Sequence, residues 1–406
     1  MVLAASLSML VALLSLAAVV PSASAGDTST CAFDAATGLL VVRFTAPDAA
    51  LQISRHGSDI LVDREFCGAT VLNTDTIHVT GANDSFDDVE LMLQEGPLEP
   101  GRSPESDGHP EIELELALHG TGRSDADDVS MATSGARDVL TLGVRGMNTN
   151  ADRDVDIAFG GIDSLDLGAG DGGDVISGSG GRGTGRASVL DDLGLTGGPG
   201  DDDITGGLGT CCWLDGAEGD DRITARAEGS MLLGSLGDDT LLGSPGEDYL
   251  EGGPGRDVLR ADDGDDIVVN TETSTKEAAE ADVLSGGGGF DRLQYWRADD
   301  LSLTLDGLAN DGVPGEGDRV MPDFEWISAG GGDDTIVGAP GAQTIDGETG
   351  RDDITGGPGR DILYGGKDDD VLHAVDGRRD RLWGGPGLDD GTDRDAVDGL
   401  HGIEIA

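Results

Sequence analysis

The residue type that could do chemistry in this chain is aspartate, because it recurs at a fixed interval. Residues 197–205 read Gly-Gly-Pro-Gly-Asp-Asp-Asp-Ile-Thr, a nonapeptide of the form G-G-x-G-x-D-x-U-x in which U is a large aliphatic residue. Four contiguous copies fill residues 234–269, and five more fill residues 329–373. A frame held over such lengths is a structural repeat and not scattered low complexity. Regularly spaced carboxylates point to cation binding.

The repeat also predicts the elements that position these carboxylates. Six residues rich in glycine form a turn, since glycine permits positive φ and close backbone approach, and three residues form a short strand. Two nonapeptides make one coil of 18 residues, and successive coils pair as parallel strands about 4.8 Å apart. The aliphatic residue points inward. We therefore predict an all-β fold, a parallel β-roll or β-solenoid, preceded by a smaller irregular β domain.

Residues 18 apart then stack in rows, which brings the sixth-position aspartates together. Neighbouring carboxylates repel by about 3 kcal/mol at about 5 Å and an effective dielectric of 20, whereas a net hydrogen bond returns only about 1 kcal/mol. A hard divalent ion bound between coils turns this net repulsion into a net attraction. Ca²⁺ accepts six to eight oxygens in irregular geometry, and Mg²⁺ demands an octahedron. The predicted metal ligands form about eight facing intervals. They are Asp202, Asp221, Asp239, Asp248, Asp257, Asp266, Asp334, Asp352, Asp361, Asp370, Asp380 and Asp389.

Three positions depart from the pattern and weaken the expectation for their intervals. Cys212, Ser230 and Gln343 stand where an aspartate is expected. The alternative for all the aspartates is that they only cap turns and solvate the surface.

The nonapeptide pattern resembles the repeats-in-toxin (hemolysin-type) calcium-binding repeats of secreted bacterial proteins. The resemblance covers roughly residues 168–395 and implies calcium ions between stacked turns at the aspartates named above.

Changes in composition along the chain predict six segments. An apolar run over residues 2–20, followed by Ala23-Ser24-Ala25, predicts a secretory signal peptide cleaved after Ala25. An uncleaved membrane anchor is the alternative. The segments are 1–25, the signal peptide; 26–167, an N-terminal β domain or degenerate solenoid cap; 168–269, a first calcium-binding block; 270–328, linker strands and insertions; 329–395, a second block; and 396–406, a capping strand.

Charge and motifs narrow the function. With 25 basic and 80 acidic residues, the net charge of −55 repels phosphate and argues against nucleic-acid binding. The sequence contains no H-E-x-x-H and no G-x-S-x-G. We therefore expect a secreted, non-enzymatic, calcium-binding protein with a structural, adhesive or surface-associated role, whose partner could be a cell-surface or matrix polymer. The alternatives are an extracellular hydrolase or lyase and a toxin or adhesin fragment.

The cysteines, an acidic cluster and the tryptophans carry separate expectations. Cys31 and Cys67 are expected to pair in an exported chain, and no zinc site is expected at Cys211-Cys212. Within residues 294–327, an acidic cluster forms either an additional calcium site or a solvated loop; it contains Asp306, Asn310, Asp311, Glu316 and Asp318. The four tryptophans are expected to be core plugs or end caps more often than ligand-stacking platforms; they are Trp213, Trp296, Trp326 and Trp383.

Overall fold

The structure of the protein is a computed structural model. It describes residues 29–45, 49–74, 76–81, 87–92, 113–117, 128–133, 138–143, 145–148, 157–160, 162, 164–181, 184, 186–188, 190, 192–209, 212–271, 280–391 and 393–403. The predicted signal peptide and Cys211 lie outside these residues. Among the described residues, no helix is long and apolar enough to cross a membrane.

The described secondary structure consists of short β-strands. The strands up to residue 177 are β1 (Ser29–Asp34), β2 (Leu39–Phe44), β3 (Ala49–His56), β4 (Asp59–Val62), β5 (Glu65–Thr70), β6 (Thr76–Thr80), β7 (Asp87–Met92), β8 (Glu113–Ala117), β9 (Asp128–Ala132), β10 (Val139–Gly143), β11 (Gly146–Asn148), β12 (Ile157–Gly160), β13 (Ser164–Gly168) and β14 (Val175–Ser177).

The strands that follow are mostly three residues long, as the nonapeptide predicts. They are β15 (Asp192–Pro199), β16 (Asp203–Thr205), β17 (Cys212–Glu218), β18 (Arg222–Thr224), β19 (Met231–Leu236), β20 (Thr240–Leu242), β21 (Tyr249–Glu251), β22 (Val258–Arg260), β23 (Ile267–Asn270), β24 (Val283–Ser285), β25 (Arg292–Tyr295), β26 (Ser302–Thr304), β27 (Arg319–Val320), β28 (Trp326–Ser328), β29 (Thr335–Val337), β30 (Thr344–Asp346), β31 (Asp353–Thr355), β32 (Ile362–Tyr364), β33 (Val371–His373), β34 (Arg381–Trp383) and β35 (Gly399–His401).

The chain forms two compact units. The N-terminal unit lies within Met1–Ser134, Arg145–Asn148 and Asp152–Leu165, and the C-terminal unit lies within Gly135–Val144, Thr149–Ala151 and Asp166–Ala406.

The N-terminal unit combines coiled parallel strands with antiparallel hairpins. Strands β2, β6, β8 and β12 pair in parallel, so that Leu40, Ile77, Leu114 and Ile157 lie in register and are buried. Strands β3, β7 and β9 form a second parallel set. The hairpins β1–β2 and β3–β4–β5 are antiparallel.

The pairing predicted for two cysteines is present in this unit. Cys31 on β1 and Cys67 on β5 are joined by a disulfide, with their Cα atoms 6.0 Å apart. Both side chains are buried.

The C-terminal unit is the predicted parallel β-roll. The first sheet contains β10, β14, β16, β18, β20, β22, β24 and β27, and the second contains β15, β17, β19, β21, β23, β25, β28, β30, β32, β34 and β35. A third sheet contains β26, β29, β31 and β33.

The aliphatic position of each repeat forms the core of the roll. Ile204, Ile223 and Leu241 lie in register on the first sheet, and all three are fully buried. On the second sheet, Leu232 and Leu250 are likewise in register and fully buried. Stacking one aliphatic side chain per strand therefore builds a thin core along the roll.

Candidate metal centre

Each buried aspartate of the roll is tied to the coil before it. The Asp202 N–H donates to Oδ1 of Asp221 at 2.7 Å, and the Asp221 N–H donates to Oδ1 of Asp239 at 2.8 Å. This link repeats along one side of the roll and defines a first ladder. Its members are Asp138, Asp174, Asp202, Asp221, Asp239, Asp257, Asp282 and Asp318.

Two further ladders have the same geometry. The second ladder runs through Ser230, Asp248, Asp266, Asp291 and Glu325, and then from Gln343 through Asp361, Asp380 and Asp398. The third ladder runs through Leu301, Asp334, Asp352, Asp370 and Asp389.

All twelve aspartates proposed as ligands from the sequence lie on these ladders. None of the twelve is more than 4% exposed. The 18-residue spacing therefore stacks them in the rows that the sequence predicts. The ladders hold seven further carboxylates outside the twelve: Asp138, Asp174, Asp282, Asp291, Asp318, Glu325 and Asp398. Of these, only Asp318 was named as a candidate from the sequence, within the acidic cluster.

The second carboxylate oxygen distinguishes most ladder residues. While Oδ1 accepts the N–H of the preceding coil, Oδ2 is buried, and within the described residues it accepts no hydrogen bond. This holds for Asp202, Asp221, Asp239, Asp257, Asp266, Asp291, Asp334, Asp352, Asp361, Asp370 and Asp380. A buried charged oxygen without a partner costs free energy, so each such atom calls for a cation or a proton.

Burial shifts the proton affinity of the ladders accordingly. Loss of solvation, together with repulsion from neighbouring carboxylates and against a backbone hydrogen bond that lowers it, raises the pKa of Asp221 to about 7 and that of Asp257 to about 8. The pKa of Asp352 and of Asp370 rises to about 7 for the same reasons. At neutral pH the ladders are therefore poorly suited to carry their charge without a cation.

The first glycine of the repeat places backbone oxygens beside these carboxylates. A Cβ atom on Gly347 would lie 2.7 Å from the Gly365 carbonyl oxygen of the next coil and closer still to Oδ2 of Asp352. Gly234 faces Oδ2 of Asp239 and a carbonyl oxygen of the next coil in the same way. Glycine is thus required because the carboxylate and the carbonyl both approach its Cα.

This donor set fits calcium. Among the described residues, no group of three or more His, Cys, Asp or Glu side chains converges as a metal centre. An ion between coils would therefore take part of its ligands from turn carbonyls, as Ca²⁺ readily does. The carboxylate and carbonyl oxygens are hard ligands, which excludes a thiolate-type site.

Asp248 differs from the aspartates with a partnerless Oδ2 because both of its oxygens have partners. Oδ1 accepts the Ser230 N–H, and Oδ2 accepts the Ser244 N–H at 2.6 Å and its hydroxyl at 2.9 Å. Both polar atoms of the Gln343 side chain also have partners. Its Oε1 accepts the Ala339 N–H, and its amide donates to the Phe324 carbonyl. At these two turns, side-chain and backbone hydrogen bonds from within the chain satisfy the buried polar atoms.

The acidic cluster of residues 306–318 is largely buried, so the interpretation as a solvated loop is wrong for three of its members. Asp311, Glu316 and Asp318 are at most 7% exposed. Asp311 accepts the Thr304 N–H at 2.5 Å and the Val320 N–H at 2.9 Å. This one carboxylate therefore joins β26 of the third sheet to β27 of the first.

Beside Glu316 lies an arginine that supplies an internal cation. The Arg297 side chain is 3% exposed, and its Nη2 lies 2.9 Å from Oε1 of the buried Glu316. Its Nη1 donates to Asn270. Asp318 accepts the Tyr295 hydroxyl, and its pKa rises to about 7 through burial, then through Glu316, against a lowering by Arg297. We call Arg297, Glu316, Asp318, Tyr295, Asn270 and Asp282 the arginine junction.

None of the four tryptophans is a core plug, so that part of the expectation is wrong, whereas the expectation of end caps stays a prediction. Trp213 is 49% exposed, Trp296 59% and Trp383 39%, and Trp326 is half-buried. The reason is register: Trp213 and Trp326 precede the inward aliphatic residue of their strands and Trp383 follows it, so these three lie on the outer side of the second sheet.

Comparison with known families decides what the repeat is. The family model of the RTX calcium-binding nonapeptide repeat (4 copies) matches residues 195–210, 233–268, 279–294, 323–354, 337–372 and 346–380. These segments are RTX calcium-binding nonapeptide repeats. No curated protein matches the chain.

The RTX repeats make the protein a calcium-binding β-roll. The structure continues the roll through residues 212–232, between two matched segments, because Asp203 pairs with Arg222 and Arg222 with Thr240 in unbroken register. Asp221 therefore belongs to the first ladder although its turn lies outside the matches.

Proposed function

We propose that the protein is an exported, non-enzymatic β-roll whose coils fold as Ca²⁺ binds between the aspartate ladders. The observation that carries this proposal is the row of buried Oδ2 atoms that have no hydrogen-bond partner among the residues that the structure describes. A bound ion would neutralise these carboxylates and take carbonyl oxygens of adjacent turns as further ligands. Binding free energy then becomes folding free energy.

The proposed site residues are the twelve ladder aspartates predicted from the sequence, with Asp291 as an addition. Asp291 continues the second ladder beyond Asp266, and its Oδ2 has no hydrogen-bond partner among the described residues. Asp248 contributes least, because Ser244 already occupies its Oδ2. The proposed number of ions is therefore about eight.

Two observations support export. Residues 2–25 have the pattern of a signal peptide, and the Cys31–Cys67 disulfide is of the kind that persists in oxidising compartments. Extracellular calcium modules bind at about 10⁻⁴–10⁻³ M, so the roll would stay unfolded inside the cell and fold outside. A structural or adhesive role at the surface follows from a rigid roll of high negative charge.

Isothermal titration calorimetry of the purified protein tests the binding proposal. CaCl₂ is expected to give about eight ions per chain at affinities near 10⁻⁴ M, and MgCl₂ at the same concentrations little heat. A stoichiometry of one or two, or equal binding of both ions, would contradict it. Mass spectrometry of protein recovered from the culture medium tests export, with an N-terminus at Gly26 as the expected result.

A further inference from the structure

Aromatic residues are concentrated on one outer face of the roll. The chain has only 4 Trp and 3 Tyr. Most of them lie on the outer side of the second sheet, in the rows on either side of its inward aliphatic residues; they are Trp213, Tyr249, Trp326, Tyr364 and Trp383.

Five coils of this face form one continuous row. Trp213, Met231, Tyr249, Ile267 and Arg292 are paired one to the next across β17, β19, β21, β23 and β25. The first four are apolar or aromatic, and each is at least partly exposed. The equivalent row on the first sheet carries Arg222, Thr240 and Val258 at the same coils, so the fold itself does not require aromatic residues there.

This row is the floor of a groove. A cavity of about 500 Å³ is lined by Trp213, Met231, Tyr249 and Ile267, together with Phe290, which is 40% exposed. Ligand sites are typically concave, mostly apolar and of this size. A second cavity of about 590 Å³ adjoins it and shares part of its lining.

The rim of the groove is acidic. Glu247 and Asp265 line both cavities, Asp192 lines the first and Glu228 the second. The basic residue of the groove, Arg292, has its guanidinium 5.9 Å from the ring centre of Phe290 and 5.3 Å from that of Trp326. Arg292 is therefore engaged with rings. The carboxylates are exposed, and of Asp265 only Oδ1 has a partner within the described residues, as it accepts the Phe290 N–H at 2.9 Å.

An apolar floor with an acidic rim selects a partner by its chemistry. Lysine and arginine side chains combine a long apolar stem with a cationic head, and such cations bind favourably over Trp and Tyr rings. A neutral glycan would cover the rings and donate hydroxyl hydrogen bonds to the carboxylates, but it would leave their negative charge uncompensated, and an anionic polymer is repelled by the charge of −55.

We propose that this groove, between Trp213 and Phe290, docks an extended basic peptide segment of a partner protein. Its cationic heads meet Glu247 and Asp265, and its stems cover Trp213 and Tyr249. The groove exists only when the coils are stacked, so this inference rests on the proposed calcium-dependent folding.

The test is a titration of the calcium-loaded protein with a synthetic peptide of alternating lysine and leucine, in about 0.15 M NaCl to screen distant charges. The double variant Trp213→Ala/Tyr249→Ala is expected to weaken binding about tenfold. The matched control, Arg222→Ala/Thr240→Ala, changes the same coils on the other sheet and should alter binding less than about twofold. A peptide of alternating glutamate and leucine should not bind.

Other outcomes would overturn the proposal. Equal binding by both double variants would show non-specific attraction to the acidic surface. Binding of a neutral soluble cello-oligosaccharide in place of the peptide would show a carbohydrate site. Circular dichroism in calcium, recorded before any peptide is added, distinguishes a roll that folds but does not bind the peptide from a roll that does not fold. The β signal is absent only when the roll does not fold.

Discussion

The aspartate ladders and the arginine junction solve one physical problem in two ways. In both, carboxylates are buried between stacked coils. At the junction, Arg297 lies within hydrogen-bond distance of Glu316, and the Tyr295 hydroxyl and the Asn270 amide bond Asp318 and Asp282. On the ladders, the second oxygens of residues such as Asp239 and Asp352 have no such partner within the described residues.

The difference assigns the metal dependence to particular turns. Where the chain supplies its own cation or donors, a turn can fold without calcium. Where it supplies none, the turn depends on an ion from solution. In the proposed calcium-dependent folding, ion-dependent blocks are therefore joined by an ion-independent contact at the arginine junction.

The largest expected effect is that of pH on the calcium-free protein. Burial raises the pKa of Asp352 from 3.8 to about 7 and that of Asp257 to about 8. Between pH 4 and 8 the folded protein therefore binds more protons than the unfolded chain, and folding weakens as the pH rises through this range.

Circular dichroism in chelator checks this expectation. The β signal should be stronger at pH 5 than at pH 9, and saturating calcium should largely remove the difference because bound ions keep the carboxylates ionised. A calcium-free protein that is more stable at pH 9 would show that the ladder carboxylates are not destabilising.

At the junction, Arg297→Met should cost about 3–5 kcal/mol of unfolding free energy, because it leaves Glu316 buried and charged without its partner. Denaturant unfolding in saturating calcium measures this loss of unfolding free energy. The matched control is Arg351→Met, whose exposed ion pair with Asp333 should contribute at most about 1 kcal/mol. Equal effects of the two variants would remove the distinction between the junction and a surface ion pair.

On the ladders, Gly347→Ala should cost about 1–3 kcal/mol, because the new methyl group overlaps Oδ2 of Asp352 and the Gly365 carbonyl oxygen. Gly399→Ala is the control, since its Cβ would meet only the Asp380 carbonyl oxygen, at 3.8 Å. The same unfolding experiment compares them, and a tolerated Gly347→Ala would contradict the described packing.

The smallest effect separates two adjacent residues. Asp202→Asn keeps an oxygen for the Asp174 N–H but removes the charge, so the calcium midpoint should rise about tenfold, or ~1.4 kcal/mol, for its interval. Asp203→Asn changes an exposed neighbour and should leave the midpoint unchanged. A calcium titration monitored by calorimetry distinguishes the two variants.

Much of the ladder geometry could be predicted from the sequence, because the repeated glycine positions fix the register of the strands. The 18-residue spacing, with one residue inserted between Asp202 and Asp221, predicted that Asp202, Asp221 and Asp239 stack, and they do. Asp291 follows Gly286-Gly287-Gly288-Gly289-Phe290 and could have been found by the same pattern. The sequence before Asp282, residues 277–281, has no glycine, so only the strand pairing of β22 with β24 reveals this residue.

The junction and the outer face could not be predicted. The contact of Arg297 with Glu316 lies inside an excursion without a repeat, so no periodicity marks it. The tryptophans were misjudged because size and apolarity favoured burial, whereas the strand register places Trp213 and Trp383 outward.

Far-UV circular dichroism of the purified protein, titrated with CaCl₂ and separately with MgCl₂ at neutral pH, tests the central claim most directly. The ladders predict a cooperative rise of β signal with calcium that magnesium does not reproduce. A spectrum that is already fully β in chelator, and that calcium leaves unchanged, would contradict the claim that ions at the ladder carboxylates drive folding.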